Sequence, residues 1–243
     1  MSSTICAKQM LVTVLMFLLC TAGGLVTTRA EAAEARGADE SPLAGESVFT
    51  DVGPDDPYYE AIYGLWDLGI VTGYSLGLDQ YEFRPWAEVA RAQFAKMVVN
   101  SLGIPVSEDD VATFVDVQPE PGEDPLYPDN YIAAAAKHQI IRGYSATNFG
   151  PWDPITRAQA VTLIVRALVG WSNGDLEDPS DAYQTEGIFA DFDDPDHGRN
   201  MQLAEYNGLL NGLLFDDDGR WDPWRPANRA EVAQLLHNCL LIL

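Results

Sequence analysis

Phe83-Arg84-Pro85-Trp86, followed by Arg91-Ala92-Gln93, returns as Phe149-Gly150-Pro151-Trp152 with Arg157-Ala158-Gln159. It returns again as Trp221-Asp222-Pro223-Trp224 with Arg229-Ala230-Glu231. In every copy the arginine stands five residues after the tryptophan. A period of about 70 residues marks an array of like units, in which no unit buries its apolar face alone.

The same order of signals extends upstream in each copy. An aromatic and an aspartate open each unit: Phe49-Thr50-Asp51-Val52, Phe114-Val115-Asp116-Val117 and Phe189-Ala190-Asp191-Phe192. A Pro/Asp-rich loop leads to a short apolar segment ending in Ile70-Val71, Ile140-Ile141 or Leu209-Leu210. Gly73, Gly143 and Gly212 stand two residues beyond each pair. This pattern predicts a first helix stopped by glycine. Downstream of the arginine, apolar residues recur at helical spacing: Phe94, Met97, Val98 and Leu102; Ala160, Leu163, Ile164 and Leu168; Val232, Leu235, Leu236 and Leu240. That stripe predicts a second helix, in register in all three units. The expected fold class is all-α: three helix–loop–helix repeats in a pseudo-threefold array with long loops. The repeats are placed at 48–105, 113–170 and 188–243, with an acidic linker at 171–187.

The second helix has a plain capping explanation at its start. Thr156 with Gln159, and Asn228 with Glu231, fit a capping box, whereas Ala90 offers no side-chain oxygen. Arginine is not explained this way, because a cation near a helix N-terminus opposes the helix dipole. Two readings stay open for Arg91, Arg157 and Arg229. One is a salt bridge to Asp51, Asp116 or Asp191 of another unit. The other is a cation held for an anionic ligand beside free backbone N–H groups.

Composition narrows the function classes. The chain of 243 residues carries a net charge of −23, with a pI near 4.1. It has no basic cluster to neutralise phosphates, which argues against nucleic-acid binding. Met10 to Leu19 is a short apolar run followed by Gly23-Gly24 and Ala30-Glu31-Ala32, the pattern of a cleaved secretory signal. Residues 1–32 are assigned to it, 33–47 to a flexible leader, and no membrane span is expected after cleavage. Of three cysteines, only Cys239 lies in the mature part; it falls among Leu235, Leu236, Leu240 and Leu241 and is expected to be buried.

On these motifs the chain resembles the S-layer homology domain family. Phe49 to Val52, Gly69-Ile70-Val71-Thr72-Gly73-Tyr74, Phe83-Arg84-Pro85 and Ala90-Arg91-Ala92-Gln93 carry the likeness in the first unit. In the second it is carried by Phe114 to Val117, Ile140 to Tyr144 and Thr156 to Gln159. The third unit is more divergent and reads Asn211-Gly212-Leu213, without the tyrosine. The resemblance implies a three-pronged spindle around a central three-helix bundle. It also implies grooves between units that bind secondary cell-wall polymers linked to peptidoglycan, often pyruvylated. Carried over residue by residue, the implied glycan-binding set is Arg91, Arg157 and Arg229, then Asp51, Asp116 and Asp191, then Gly73, Gly143 and Gly212. Trp86, Trp152 and Trp224 depart from the family pattern. They either offer sugars a stacking face or plug each loop onto its own helix pair.

The expected function is therefore non-catalytic anchoring at the bacterial cell wall or S-layer. The alternative is a calcium-dependent structural or assembly protein acting through an envelope protein partner, since Asp193-Asp194-Pro195-Asp196 and Asp216-Asp217-Asp218-Gly219 are oxygen-rich. Neither run has the alternating ligand spacing of a helix-loop-helix calcium site. His138, His197 and His237 share no repeat position, and no nucleophile motif occurs. No enzyme, catalytic residue, metal site or cofactor is expected.

Overall fold

The computed structural model describes residues 48–78, 80–119, 122, 124–170 and 176–243. The signal and leader readings fall outside them. In chain order the elements are α1 (Tyr59–Asp67), β1 (Tyr74–Gly77), β2 (Gln80–Glu82), α2 (Arg91–Ser101), α3 (Asp129–Lys137), α4 (Arg157–Gly170), the single turn α5 (Tyr183–Glu186), α6 (Gly198–Tyr206) and α7 (Arg229–Ile242). The fold is mostly helical, but the all-α expectation is corrected by the β1–β2 hairpin. Its antiparallel register pairs Tyr74 with Glu82, Ser75 with Tyr81 and Gly77 with Gln80. The first unit has a longer chain between Gly73 and Phe83 than the second has between Gly143 and Phe149, which leaves room for a ribbon. Gly77 and Leu78 turn it with φ of 84° and 54°.

The first helices end earlier than the apolar pattern suggests. Gly69, Gln139 and Gly208 take left-handed φ values of 70°, 59° and 77° directly after α1, α3 and α6. Their amides bond back to the carbonyls of Trp66, Ala136 and Glu205. The next amides, of Ile70, Ile140 and Leu209, reach the carbonyls of Leu65, Ala135 and Ala204. The bulky pairs thus lie just past each helix, folded back and buried.

The main helix pairs form between units rather than within them. α2 packs on α3, α4 on α6, and α7 closes the series on α1; α7 also touches α2 and α4. This explains why the second helices are buried beyond their apolar stripe. Ala92, Ala95 and Val99 are wholly buried in α2, as are Ala167 in α4 and Ala233 in α7.

A ring of backbone hydrogen bonds joins the three segments that lead into these helices. Ile155 N donates to Val89 O at 2.9 Å, Ala227 N to Ile155 O at 2.8 Å, and Val89 N to Ala227 O at 3.0 Å. All three residues are completely buried. A second circuit runs beside the first. The amides of Arg91 and Ala92 donate to the carbonyls of Asp153 and Pro151. Those of Arg157 and Ala158 donate to Arg225 and Pro223, and those of Arg229 and Ala230 to Ala87 and Pro85. Each unit donates to the next, and the third donates to the first.

Candidate functional site

These circuits occupy the N-terminal amides of α2, α4 and α7. The backbone groups expected to be free for an anion are already bonded to carbonyls of the adjoining loop. The arginine side chains follow the same direction and enter the neighbouring unit, so three seams result.

The seams holding Arg91 and Arg229 are alike. Arg91 Nε donates to Phe149 O at 3.0 Å and Nη2 to Arg142 O at 2.8 Å. Its guanidinium lies over the rings of Tyr144 and Phe149, 4.5 and 4.4 Å from their centroids. Arg229 repeats this: Nε donates to Phe83 O at 2.7 Å and Nη2 to Thr72 O at 3.0 Å, over Tyr74 and Phe83. Among the described residues, neither arginine has a carboxylate within salt-bridge distance, and neither Nη1 has a hydrogen-bond partner. Both residues are buried, at 6% and 7% exposure. Burial pulls both guanidinium groups below their ordinary pKa, against the opposing pull of Tyr144 or Tyr74 and of nearby aspartates. Arginine nonetheless stays charged.

Arg157 differs. Its Nε donates to Glu231 Oε2 at 3.2 Å, its Nη2 to Glu231 Oε1, and its Nη1 to Asp222 O at 3.3 Å. The ring beneath it is Trp221, 4.8 Å to the centroid. Glu231 also completes the capping box of α7: its Oε2 accepts from Asn228 N while its own amide donates to Asn228 Oδ1. In the other units Gln93 and Gln159 accept from the Ala90 and Thr156 amides instead. Gln93 Nε2 also donates to the Tyr74 hydroxyl at 3.3 Å.

The aspartates are not salt-bridge partners of these arginines. Asp51 accepts from Phe83 N and Arg84 N at 2.8 and 2.7 Å; Asp116 accepts from Phe149 N and Gly150 N at 2.9 and 2.7 Å. Each clasps the loop whose carbonyl receives the arginine. Arg84 and Gly150, at the same loop position, take left-handed φ of 59° and 71°. Burial alone would raise the Asp116 carboxyl, but the Gly150 and Phe149 amides and Arg91 hold it below the ordinary range. Asp191 makes no such clasp among the described residues; it lines an open cavity of about 500 Å³ with Asp193, Asp194 and Arg199.

Gly73 and Gly143 do not stop helices. A Cβ on Gly143 would lie 2.5 Å from Asn148 O and 2.6 Å from both Ser145 O and the Phe114 ring; one on Gly73 would lie 2.7 Å from the Phe49 ring. Internal packing keeps them bare. Gly212 has a left-handed φ of 77° and only the flexible Gln234 nearby.

Trp86, Trp152 and Trp224 are 58%, 50% and 51% exposed. Each meets an aromatic ring of its own unit: Tyr58 at 6.0 Å, Tyr127 at 6.2 Å, and Phe192 at 5.8 Å. Trp224 also meets the His197 ring at 5.8 Å.

The S-layer homology domain matches residues 48–95 and 121–161. The chain is 29% identical to the surface-layer 125 kDa protein of Lysinibacillus sphaericus over 79% of its own length and 15% of that protein. It is 29% identical to an S-layer protein of Bacillus licheniformis over 81% of its length and 20% of that protein. Against the middle cell wall protein of Brevibacillus brevis it is 29% identical over 52% of its length. The chain thus spans about a fifth or less of these curated relatives' length. The S-layer homology matches and these relatives indicate a cell-surface location.

Sequence reasoning placed Tyr74, Tyr144, Gln93 and Glu231 in motifs or caps and missed them as seam partners. A signal was present, because Gly-Tyr recurs in the first two units and is lost in the third, where glutamate also replaces glutamine. Among the described residues no cluster of three or more histidine, cysteine, aspartate or glutamate side chains has metal-binding geometry. Cys239 is buried, and burial pushes its thiol up to about 12.

Proposed function

We propose that the protein is a non-catalytic cell-surface anchor whose three repeats form a pseudo-threefold spindle and bind an anionic wall polysaccharide in the seams between them. The circuit of backbone hydrogen bonds supports the spindle, and the inter-unit helix pairs support its central bundle. The observation that carries the binding reading is the buried guanidinium of Arg91 or Arg229, held by two neutral carbonyls with one Nη1 edge unused. Such a fork pairs bidentately with a saccharide carboxylate, as in a pyruvate ketal, without a strong internal competitor. Asp51 and Asp116 retain lone pairs for sugar hydroxyls, and the half-exposed indoles of Trp86 and Trp152 provide stacking surfaces. Local positive charge at the seam opposes the acidic net charge, and a buried pair is little screened by salt.

Co-sedimentation with wall sacculi tests this. The protein is expected to pellet with intact sacculi and to stay soluble when secondary polymers have been removed by acid. Equal retention on stripped sacculi, or none on either, would refute polymer anchoring.

A further inference from the structure

Two Asn-Gly pairs follow one another closely in the third unit: Asn207-Gly208 at the end of α6, and Asn211-Gly212 in the turn beyond it. Asparagine is a chemically labile residue, and a following glycine has no side chain to shield the backbone nitrogen that can attack the carboxamide. The fold surrounds the two pairs differently. Asn207 is held at three points. Its Oδ1 accepts from Glu177 N at 2.7 Å, and its Nδ2 donates to the carbonyls of Glu177 and Leu203, each at 2.9 Å. The Gly208 nitrogen donates to Glu205 O at 3.0 Å. Nucleophile and electrophile of that pair are both tied down. At the second pair neither is. Asn211 and Gly212 are exposed. Among the described residues, neither the Asn211 side chain nor the Gly212 amide makes a hydrogen bond. What does engage this turn is the Asn211 carbonyl, which accepts from Asn238 Nδ2 at 2.7 Å. Asn238 is 7% exposed and also donates to Leu209 O at 2.8 Å. The other units have no carboxamide at this position: Thr72 precedes Gly73, and Arg142 precedes Gly143.

We propose that Asn211 is a site of spontaneous deamidation, and that the linker segment at Glu177 protects Asn207 from the same reaction. The Gly212 nitrogen attacks Asn211 Cγ and gives up its proton, and the new C–N bond closes a cyclic succinimide. The Cγ–Nδ2 bond breaks, and Nδ2 leaves as ammonia carrying that proton. Water then adds to one of the two ring carbonyls and breaks its bond to nitrogen. Opening at Cγ gives aspartate. Opening at the main-chain carbonyl gives isoaspartate, in which the chain runs on through Cγ. No oxidant or reductant takes part. Either product adds a negative charge to the turn. In isoaspartate the former Asn211 carbonyl becomes a side carboxylate on a main chain lengthened by a methylene. The tie from Asn238 of α7 to this turn is then lost, whereas the aspartate product keeps it. At Asn207 the carboxamide reaches the Gly208 nitrogen only by giving up its three hydrogen bonds, and that nitrogen must also release Glu205 O. Buried or crowded polar groups resist such exchanges because nothing replaces the partners they lose.

The test is incubation of the folded full chain at mildly alkaline pH in water enriched in heavy oxygen, followed by tryptic digestion in ordinary water. A residue that has passed through the succinimide carries a heavy oxygen atom, and fragmentation mass spectra place it. Asn207 and Asn211 share the peptide from Asn200 to Arg220, so they are compared within one molecule. Asn173-Gly174 lies outside the described residues and falls in a different peptide. Label is expected to accumulate at Asn211 and to stay low at Asn207. In urea, where the clamp is gone, both are expected to label at similar rates. A folded chain that stays unlabelled at Asn211 while the urea-unfolded chain labels there would overturn the proposal. Equal label at the two sites in the folded chain would remove the protective role of the Glu177 segment. The aged protein is also expected to accept methyl groups from an isoaspartyl methyltransferase and to unfold at lower urea than the fresh protein. Asn211→Ser, aged in parallel, is expected to hold its midpoint. An unchanged midpoint in protein carrying isoaspartate at Asn211 would overturn the consequence assigned to the Asn238 tie.

Discussion

Arg91 and Arg157 stand at the same helix position, point the same way round the molecule and lie over an aromatic ring, yet their surroundings give opposite chemistry. Around Arg91 the acceptors are peptide carbonyls, so its charge meets no carboxylate at salt-bridge distance among the described residues. Around Arg157 a buried glutamate cancels that charge. Gln159 and Glu231 stand at the same helix position, yet only the carboxylate pairs with the arginine of the preceding unit. The surroundings of each arginine are thus set by the neighbour that the next unit supplies, and not by its own position in the repeat.

The comparison breaks most severely at the Arg157–Glu231 pair. Glu231→Ala strands Arg157 and removes the α7 cap, and is expected to lower unfolding free energy by about 3–5 kcal/mol, read from the urea midpoint. A loss below about 1 kcal/mol would show the pair to be incidental. The glycines provide a second contrast. Gly143→Ala forces a methyl against two fixed backbone oxygens and should cost roughly 1–3 kcal/mol. Gly212→Ala meets only a flexible glutamine and a strained φ, so about 1 kcal/mol is expected. Thermal unfolding of the two variants would reverse the assignment if Gly212→Ala proved the worse.

Binding sharpens the contrast further. Arg91→Lys keeps the charge but loses the planar fork, and retention on intact sacculi should fall about tenfold, near 1.4 kcal/mol. Arg157→Lys should leave retention unchanged in whatever fraction stays folded. A matching fall in both would make the seams equivalent. Acid provides a smaller effect. The Asp116 carboxyl is depressed in the folded state, so its contribution is present above the ordinary carboxylate range and is lost as pH falls through about 4 and below. Asp116→Asn should flatten that acid limb, and an unaltered stability–pH curve would contradict the clasp. Trp152→Ala removes the buried half of an indole that is 50% exposed, and a loss of about 2 kcal/mol is expected. A clear fall in sacculus retention with the fold intact would favour the stacking role, whereas unfolding would assign Trp152 to packing.

Much of this was legible in the chain. Three copies of Pro-Trp followed by arginine located the starts of α2, α4 and α7 to the residue, and the capping boxes at Thr156 and Asn228 formed as their side-chain chemistry requires. The direction of pairing was not legible: apolar stripes say that a helix needs a partner, not whether that partner lies in its own unit or the next. Nor was the role of Gly73 and Gly143, since a missing Cβ serves a turn, a ligand or a crowded ring equally well on paper. The hairpin was hidden because Tyr74 to Glu82 is short and contains only brief alternation. The arginine partners were invisible because they are mostly carbonyl oxygens, which every residue possesses.

The ring of hydrogen bonds also sets an order of events. Arg229 bonds to Phe83 and Thr72 across 146 and 157 residues of sequence. The seam nearest the start of the fold is thus completed by its last helix. Such distant pairings form late and slowly, because the intervening chain must be drawn together before any contact repays the lost entropy. A chain emerging in sequence from the ribosome would hold Tyr74 and Phe83 as half a seam until α7 had been made.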